Sequence, residues 1–545
     1  MARTILAKKT QRLLRLAIAK ERGFLSPQLL DELLAVKFAM KGLSRRVFLQ
    51  RAGIGLVAAP YLLNACKTME STTAAEGGEN PSVVVVGGGT AGLTAAYRLM
   101  RAGVTCSVYE GSDRFGGRMY TEYNFNNEGM FCERGGELVD SIHADLIGLC
   151  KEFGLEIEEL DEGNDLLECM YVFDGKSRSE REIIEAFAPL AQAIIRDAAH
   201  LNVNGQIMVP TYNSRLAKNF DVQRLDNLPL SAYLDSVDMD RWLRQLIDTT
   251  YMSMIGGECA EQSSLNLLTL INPDTSEGFA LYGESDESKR IKGGNENLPR
   301  ALVKALKPQV PLIAEHRLLA IQDRGSSFNL VFDHGGQTVE VKADRVIIAL
   351  PLIPLRSVDL SGVELSAVKR MAIKEWGYGT NSKLMLGFKS RAWRTGVHKS
   401  SGCVFGEFES QCFWETSAKQ PGTSGIITNF LAGKRGKLTP PGQLQTALRD
   451  LDGVFSGASS VFDGTKLLQH WPSQPFTMAS YTSVMPGQFT SIYGATAEPE
   501  LGGRLVFAGE HCSVNFSGYM NGAVESGNIA AKHLLSQARV RGISG

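Results

Sequence analysis

Gly87, Gly89 and Gly92 follow directly on four valines, Val83 to Val86, in the order Gly-x-Gly-x-x-Gly. That spacing lets a chain turn sharply and bring its backbone against a pyrophosphate. Thr90 and Ala91 fill the gap before Gly92 and open a helix, whose unpaired N–H groups and dipole favour an anion. Glu110 ends a second strand-like run, where its carboxylate would accept hydrogen bonds from ribose hydroxyls and repel a 2′-phosphate. The glycines alone say little, because 56 of the 545 residues are Gly. The strand before them, the helix after them and the acid at the right distance make a dinucleotide-binding βαβ unit. The alternative is a glycine-rich turn in a similar domain that binds nothing.

The segment beyond Glu110 resembles the flavin amine oxidase superfamily. Glu110-x5-Gly116-Gly117-Arg118 is similar to the family's second fingerprint, and a guanidinium fork suits phosphate oxygens. The resemblance runs on through Glu133-Arg134-Gly135-Gly136-Glu137, where family members pass their backbone beside the flavin. It resumes at Phe507-Ala508-Gly509-Glu510-His511 and Ser517-Gly518-Tyr519-Met520-Asn521-Gly522-Ala523. It implies FAD as cofactor, with Arg118 near the phosphates, Glu510 near the ribityl chain and Met520 offering a backbone N–H to the ring. Leu318 stands where the family has an aliphatic residue whose backbone contacts the adenine. Ser480 stands where covalent members have cysteine, so the FAD is expected to be noncovalent.

The same resemblance nominates the reacting side chains. Lys383 lies ten residues before Trp393, as does the family lysine that holds a water against flavin N5. A positive charge there favours the reduced flavin and dioxygen reduction; the alternative is an edge-strand lysine facing solvent. Tyr519 and Tyr481 align with the two aromatic residues that cage the amine, Tyr481 only if one residue is skipped. Either could instead be ordinary core with a satisfied hydroxyl. Leu138 occupies the place of the arginine that takes the α-carboxylate in L-amino-acid oxidases. Glu137 and Asp140 put acids where polyamine-oxidising members pair with a distant ammonium; the alternative for Glu137 is a structural pair with a nearby cation.

These residues need elements to hold them. Helical patterns cover residues 143–153, 179–200, 230–237, 241–252 and 260–271, and a further helix 298–306. Strand patterns cover 310–314, 318–322, 328–332, 338–341 and 343–351, with Gly335-Gly336 marking a hairpin. The sequence divides into a signal region 1–66, a linker 67–80, FAD-binding segments 81–142, 286–355 and 486–545, and substrate-domain segments 143–285 (helical) and 356–485 (sheet). The expected fold is α/β in two discontinuous domains: a Rossmann-like FAD domain, and a substrate domain of mixed sheet and helices.

The net charge of −2 conceals a basic start, since residues 1–51 hold 12 Lys and Arg against 3 Asp and Glu. This is not a nucleic-acid patch. It ends in Ser44-Arg45-Arg46-Val47-Phe48-Leu49, which resembles a twin-arginine export signal, followed by a short uncharged apolar stretch. A basic surface helix followed by a buried one is the alternative. Leu63-Asn64-Ala65-Cys66 resembles a lipobox, making Cys66 a candidate lipid anchor, with ordinary cleavage nearby as the rival. Twin-arginine translocase is thus an expected partner, and the periplasm or its membrane face the expected location. The nine cysteines are scattered, with no Cys-x-x-Cys and no His/Cys cluster, so neither a disulfide framework nor a metal site is expected.

The reading is an FAD-dependent oxidation of a primary amine or polyamine to imine and aldehyde, with dioxygen reduced to hydrogen peroxide. An L-amino-acid oxidase or tryptophan 2-monooxygenase-like enzyme is the nearest alternative. A non-catalytic exported FAD-binding protein is the alternative from another class.

Overall fold

The computed structural model describes residues 82–160, 168–276, 278–395 and 399–541. The twin-arginine motif, Cys66 and the linker lie outside the described residues.

Val83–Val86 forms the centre of a five-stranded parallel sheet. Cys106–Tyr109 lies on one side and Arg345–Ile348 on the other, with Leu312–Ile313 and Leu505–Phe507 at the edges. A parallel strand covered on both faces needs apolar residues at every position. The valines meet that need, with Val84 and Val86 packing into one core and Val83 and Val85 into another. The second core is closed by the helices Thr90–Arg101 and Met520–Arg541, which pack on each other. The hairpin Phe328–His334 and Gln337–Ala343 turns at Gly335 and Gly336, both left-handed.

A seven-stranded mixed sheet forms the second layer. Its order is Phe462–His470, Ser382–Phe388, Gly425–Leu431, Cys412–Glu415, Ser400–Gly406, Glu168–Phe173 and Lys176–Ser177. Ser382–Phe388 is paired on both sides and buried throughout. Lys383 therefore sits in an interior strand, which overturns the solvent-facing alternative.

Five of the patterned helices are close to their expected spans: Ala144–Glu152, Glu180–Ala198, Leu230–Asp235, Arg241–Ile255 and Asn297–Leu306. The helix patterned over 260–271 shrinks to Leu265–Leu268. Ser264 there donates its hydroxyl to Leu225 O and Ser263 donates to the Asp226 carboxylate, tertiary bonds that pin the segment to the end of the Phe220–Asn227 helix. The segment 143–285 is also less helical than its periodicity suggests, because Glu168–Phe173 leaves it to pair in parallel with Ser400–Gly406. That pairing corrects the cysteine reading, for it brings Cys169 and Cys403 together as a disulfide across 234 positions. Neighbouring strands made the bond, and no local spacing could announce it. Six further described cysteines are free and buried.

Candidate active site

The glycine turn forms an open cradle. Gly87 has φ of +108°, and a Cβ on it would lie 2.4 Å from Ala349 O, so only glycine fits. Gly89 caps the helix Thr90–Arg101 with no side-chain hydrogen bond, and the nearest atom to a Cβ there is Gly117 Cα at 3.9 Å. Thr90, Ala91 and Gly92 form the buried first turn behind it. Glu110 accepts the Gly88 N–H at 2.7 Å on one oxygen and the Ser112 N–H and hydroxyl at 2.8 Å on the other. A carboxylate oxygen offers two lone-pair sites, so one on the Gly88 side remains for a ribose hydroxyl. His316 N–H donates to Glu110 O at 2.8 Å, which seats the start of the Arg317–Asp323 strand, and with it Leu318, beside the acid.

The separated motif blocks meet here. Arg118 donates from Nη1 to Glu510 Oε1 at 2.9 Å and to Ser480 O at 2.7 Å. Glu510 also accepts from the Thr482 hydroxyl and from Gly518 N–H. Burial works to raise its carboxyl, yet Arg118 and the other donors hold it below the ordinary range. Gly509 donates its N–H to Ser526 Oγ at 2.9 Å. Gly135 and Gly136 run between Arg118 and Met520, a Cβ on Gly136 falling 2.7 Å from Met520 Cγ. A glycine-lined anion cradle, an acid with spare lone pairs and a converging backbone fit the dinucleotide part of FAD.

Beside this lies Lys383, 5% exposed. Its Nζ donates to Gly135 O at 2.7 Å, Glu137 Oε2 at 2.8 Å and Glu133 O at 3.2 Å. The Trp414 ring stands 5.3 Å from the same nitrogen. Glu137 accepts the Thr416 hydroxyl on its other oxygen at 2.8 Å. Glu137 thus pairs inside the protein with Lys383, the structural pair with a nearby cation that was the alternative to a substrate ammonium. Asn295 steadies the run, its Nδ2 donating to Gly136 O and Glu137 O and its N–H to Glu133 Oε1. Glu133 is fully buried, and that burial pushes its carboxyl up to about 7.

The two tyrosines come together. The Tyr481 ring lies 3.6 Å from where Gly518 would carry a Cβ, immediately before Tyr519. Tyr481 donates its hydroxyl to the carbonyls of Ser253 and Met254, at the end of the Arg241–Ile255 helix. Tyr519 donates to Ser285 Oγ at 3.2 Å, and its ring meets His143 edge-on at 5.1 Å. Hydroxyls tied at their far ends hold both rings in place. Asp140 does not serve as a free acid. It accepts the Ser285 hydroxyl at 2.7 Å and the Glu287 N–H at 2.8 Å, and burial pushes it up to about 6. His143 Nε2 lies 3.2 Å from Asp140 Oδ2, but burial lowers the imidazole to about 4, so at neutral pH this is no ion pair.

Glu287 was not singled out by its sequence. Its backbone is left-handed, with φ of +46°. No donor among the described residues reaches its carboxylate, which interacts electrostatically with Tyr481 and Tyr519. Burial, then Asp140, Asp286 and Glu137, push it up to about 7. Nothing in the local spacing marks it; it lies three residues before the Arg290-Ile-Lys-Gly293-Gly294 run. The nearby arginines are occupied: Arg134 by Gln469 and Tyr120, Arg290 by Glu158 and two carbonyls, Arg118 by Glu510.

Residues 90–535 match the sequence profile of a family described as flavin containing amine oxidoreductase. An L-amino acid dehydrogenase from Synechocystis is 26% identical over 473 residues, covering 83% of this chain and 94% of the relative. The flavin-containing amine oxidase B of Bos taurus is 26% identical over 464 residues, covering 83% and 86%. Cyclohexylamine oxidase from Brevibacterium oxydans superposes with a TM-score of 0.71 at 19% identity, over 84% of this chain and 100% of that one. The α/β architecture is the two-domain fold of these enzymes.

Proposed function

Since the chain belongs to the flavin-containing amine oxidoreductase family, we propose that it oxidises a primary amine or polyamine to an imine, which water converts to an aldehyde, with dioxygen reduced to hydrogen peroxide. FAD, when bound, supplies the two-electron sink for the carbon–nitrogen bond. Gly87, Gly89, Thr90, Ala91, Gly92, Gly117 and Arg118 would hold its pyrophosphate, Glu110 and Leu318 its adenosine. Gly135, Gly136, Gly509, Glu510 and Met520 would line its ribityl chain and ring.

The chain's own part in the chemistry is orientation. Tyr481 and Tyr519, anchored at their hydroxyls, would hold a neutral amine with its α-C–H directed one way. Their buried hydroxyls lie well above the ordinary phenol range, so both stay protonated and the cage itself adds no charge. Serine at position 480 cannot form a thioether, and its hydroxyl is engaged with Asn381 at 2.7 Å, which supports noncovalent FAD.

The observation that carries the reading is the meeting of Tyr481 and Tyr519 at the point where the separated motif blocks converge. An L-amino acid is the second reading, favoured by the Synechocystis relative. Leu138 and the occupied arginines weigh against it.

Anaerobic mixing of the flavin-loaded protein with amines, diamines and L-amino acids tests the proposal. Bleaching of the flavin by amines alone supports it. Bleaching by amino acids alone replaces it with the second reading, and no bleaching with FAD retained points to a binding protein.

We also propose export by the twin-arginine translocase, with Cys66 as a candidate lipid anchor, resting on the sequence of residues 44–66. Replacing Arg45 and Arg46 by lysine is expected to keep the protein in the cytoplasm. Undiminished periplasmic protein in a cell fractionation would reject the signal.

A further inference from the structure

Lys383 and Glu137 lie 246 positions apart in sequence and meet with side chains 6% and 4% exposed. An ammonium has three hydrogens. At Lys383 they are taken by Gly135 O, Glu137 Oε2 and Glu133 O. None is left to hold a water or to meet an oxygen species. The charge is cancelled as well, because Glu137 is itself anchored by Thr416, whose Oγ1 lies 2.6 Å from that of Thr428. A lone buried ammonium would stabilise negative charge developing on dioxygen, whereas a neutral pair contributes far less.

We propose that Glu137 is a positioning residue that locks Lys383 in a charge-neutral pair and thereby slows the oxidation of the reduced flavin by dioxygen. This rests on FAD lying along Gly135 and Gly136, as in the proposed function, and so beside Lys383, which bonds Gly135 O. In the step concerned, two electrons and one proton leave the reduced flavin, solvent supplies a second proton, and dioxygen becomes hydrogen peroxide. The pair sets the rate of this step without touching the amine.

The test therefore uses no amine. FAD in the full-length holoprotein is reduced by light and EDTA, mixed with oxygenated buffer, and followed by stopped-flow absorbance. Glu137→Gln frees the ammonium and is expected to raise the reoxidation rate by about tenfold or more. The double variant Glu137→Gln/Lys383→Met, neutral like the native pair, is expected to stay within about threefold of it. A second readout is the flavin midpoint potential together with sulfite affinity: Glu137→Gln should raise the potential and tighten sulfite binding, and the double variant should restore both. Lost packing alone would not move those quantities in opposite directions between the two variants.

Reoxidation unchanged or slowed in Glu137→Gln overturns the proposal, as does a tenfold slowing in the double variant. If Glu137→Gln loses its flavin, the double variant decides on its rate alone. Failure of the amine reading would appear instead in the anaerobic bleaching experiment, with these rates unaffected.

Discussion

Glu287 is the residue whose surroundings are least explained by folding alone. A left-handed backbone at a glutamate costs about 1 kcal/mol or more, and here it belongs to an acid whose charge is felt by Tyr481 and Tyr519. Such an acid suits a second ammonium on the substrate. Glu287→Gln should raise the KM of a diamine by about tenfold, the scale of one charge-assisted contact, and change that of an apolar monoamine by less than about threefold. Steady-state kinetics on the two compounds decides; equal shifts would remove Glu287 from the substrate site. Glu133 makes a different prediction. Its folded value of about 7 lies above the unfolded value, so its stability contribution is full at low pH and lost as pH rises through 7. Asp140 and Glu287 act with the same sign, near 6 and 7. Glu510 acts oppositely, but only toward acid, and His143 and His511, lowered by burial to about 4, act oppositely up to about pH 6.5. The melting temperature should therefore fall chiefly between about pH 6 and 7.5, and Glu133→Gln should flatten that fall in thermal scans across the range.

At the scale of elements, the turn between Val86 and Thr90 separates folding from binding. Gly87 is required by the chain itself, because any side chain meets Ala349 O at a forbidden φ. Gly89 has an ordinary φ of −71° and open space before it. Gly87→Ala should lower the stability of the apoprotein, while Gly89→Ala should leave its melting temperature unchanged and abolish FAD retention. Calorimetry of the apoproteins and flavin content of the purified variants check the pair. This turn was legible from sequence because backbone demands, here glycine at fixed spacing after a β-branched run, are written locally. The Ser382–Phe388 strand was legible as to Lys383 and illegible as to its setting: period and spacing said nothing of the strands on either side, nor of Glu137. The tyrosines were readable one at a time, whereas Glu287 and the Cys169–Cys403 bond depend on which segments become neighbours. The helix over 260–271 failed for a related reason, its periodicity overridden by tertiary bonds from Ser263 to the Asp226 carboxylate and from Ser264 to Leu225 O.

For the whole molecule, the decisive feature is that one sheet collects strands from distant parts of the chain. Ser82, at the mouth of the central strand, bonds Asp344 across 262 positions, and the edge strand Leu505–Phe507 comes later still. A ribosome delivers residues in order. Val83–Val86 emerges early, apolar on both faces, and must wait for Arg345–Ile348 while the entire helical region is being made. During that interval, even with Cys106–Tyr109 paired on one side, its other side is an open edge of the kind that recruits neighbours by mistake. The cradle is likewise incomplete until Glu510 and Met520 have appeared to meet Arg118 and Gly136. Cofactor capture is therefore a late event in the life of the nascent chain, and the early strand needs shelter, from chaperone or from slow synthesis, until its last partner arrives.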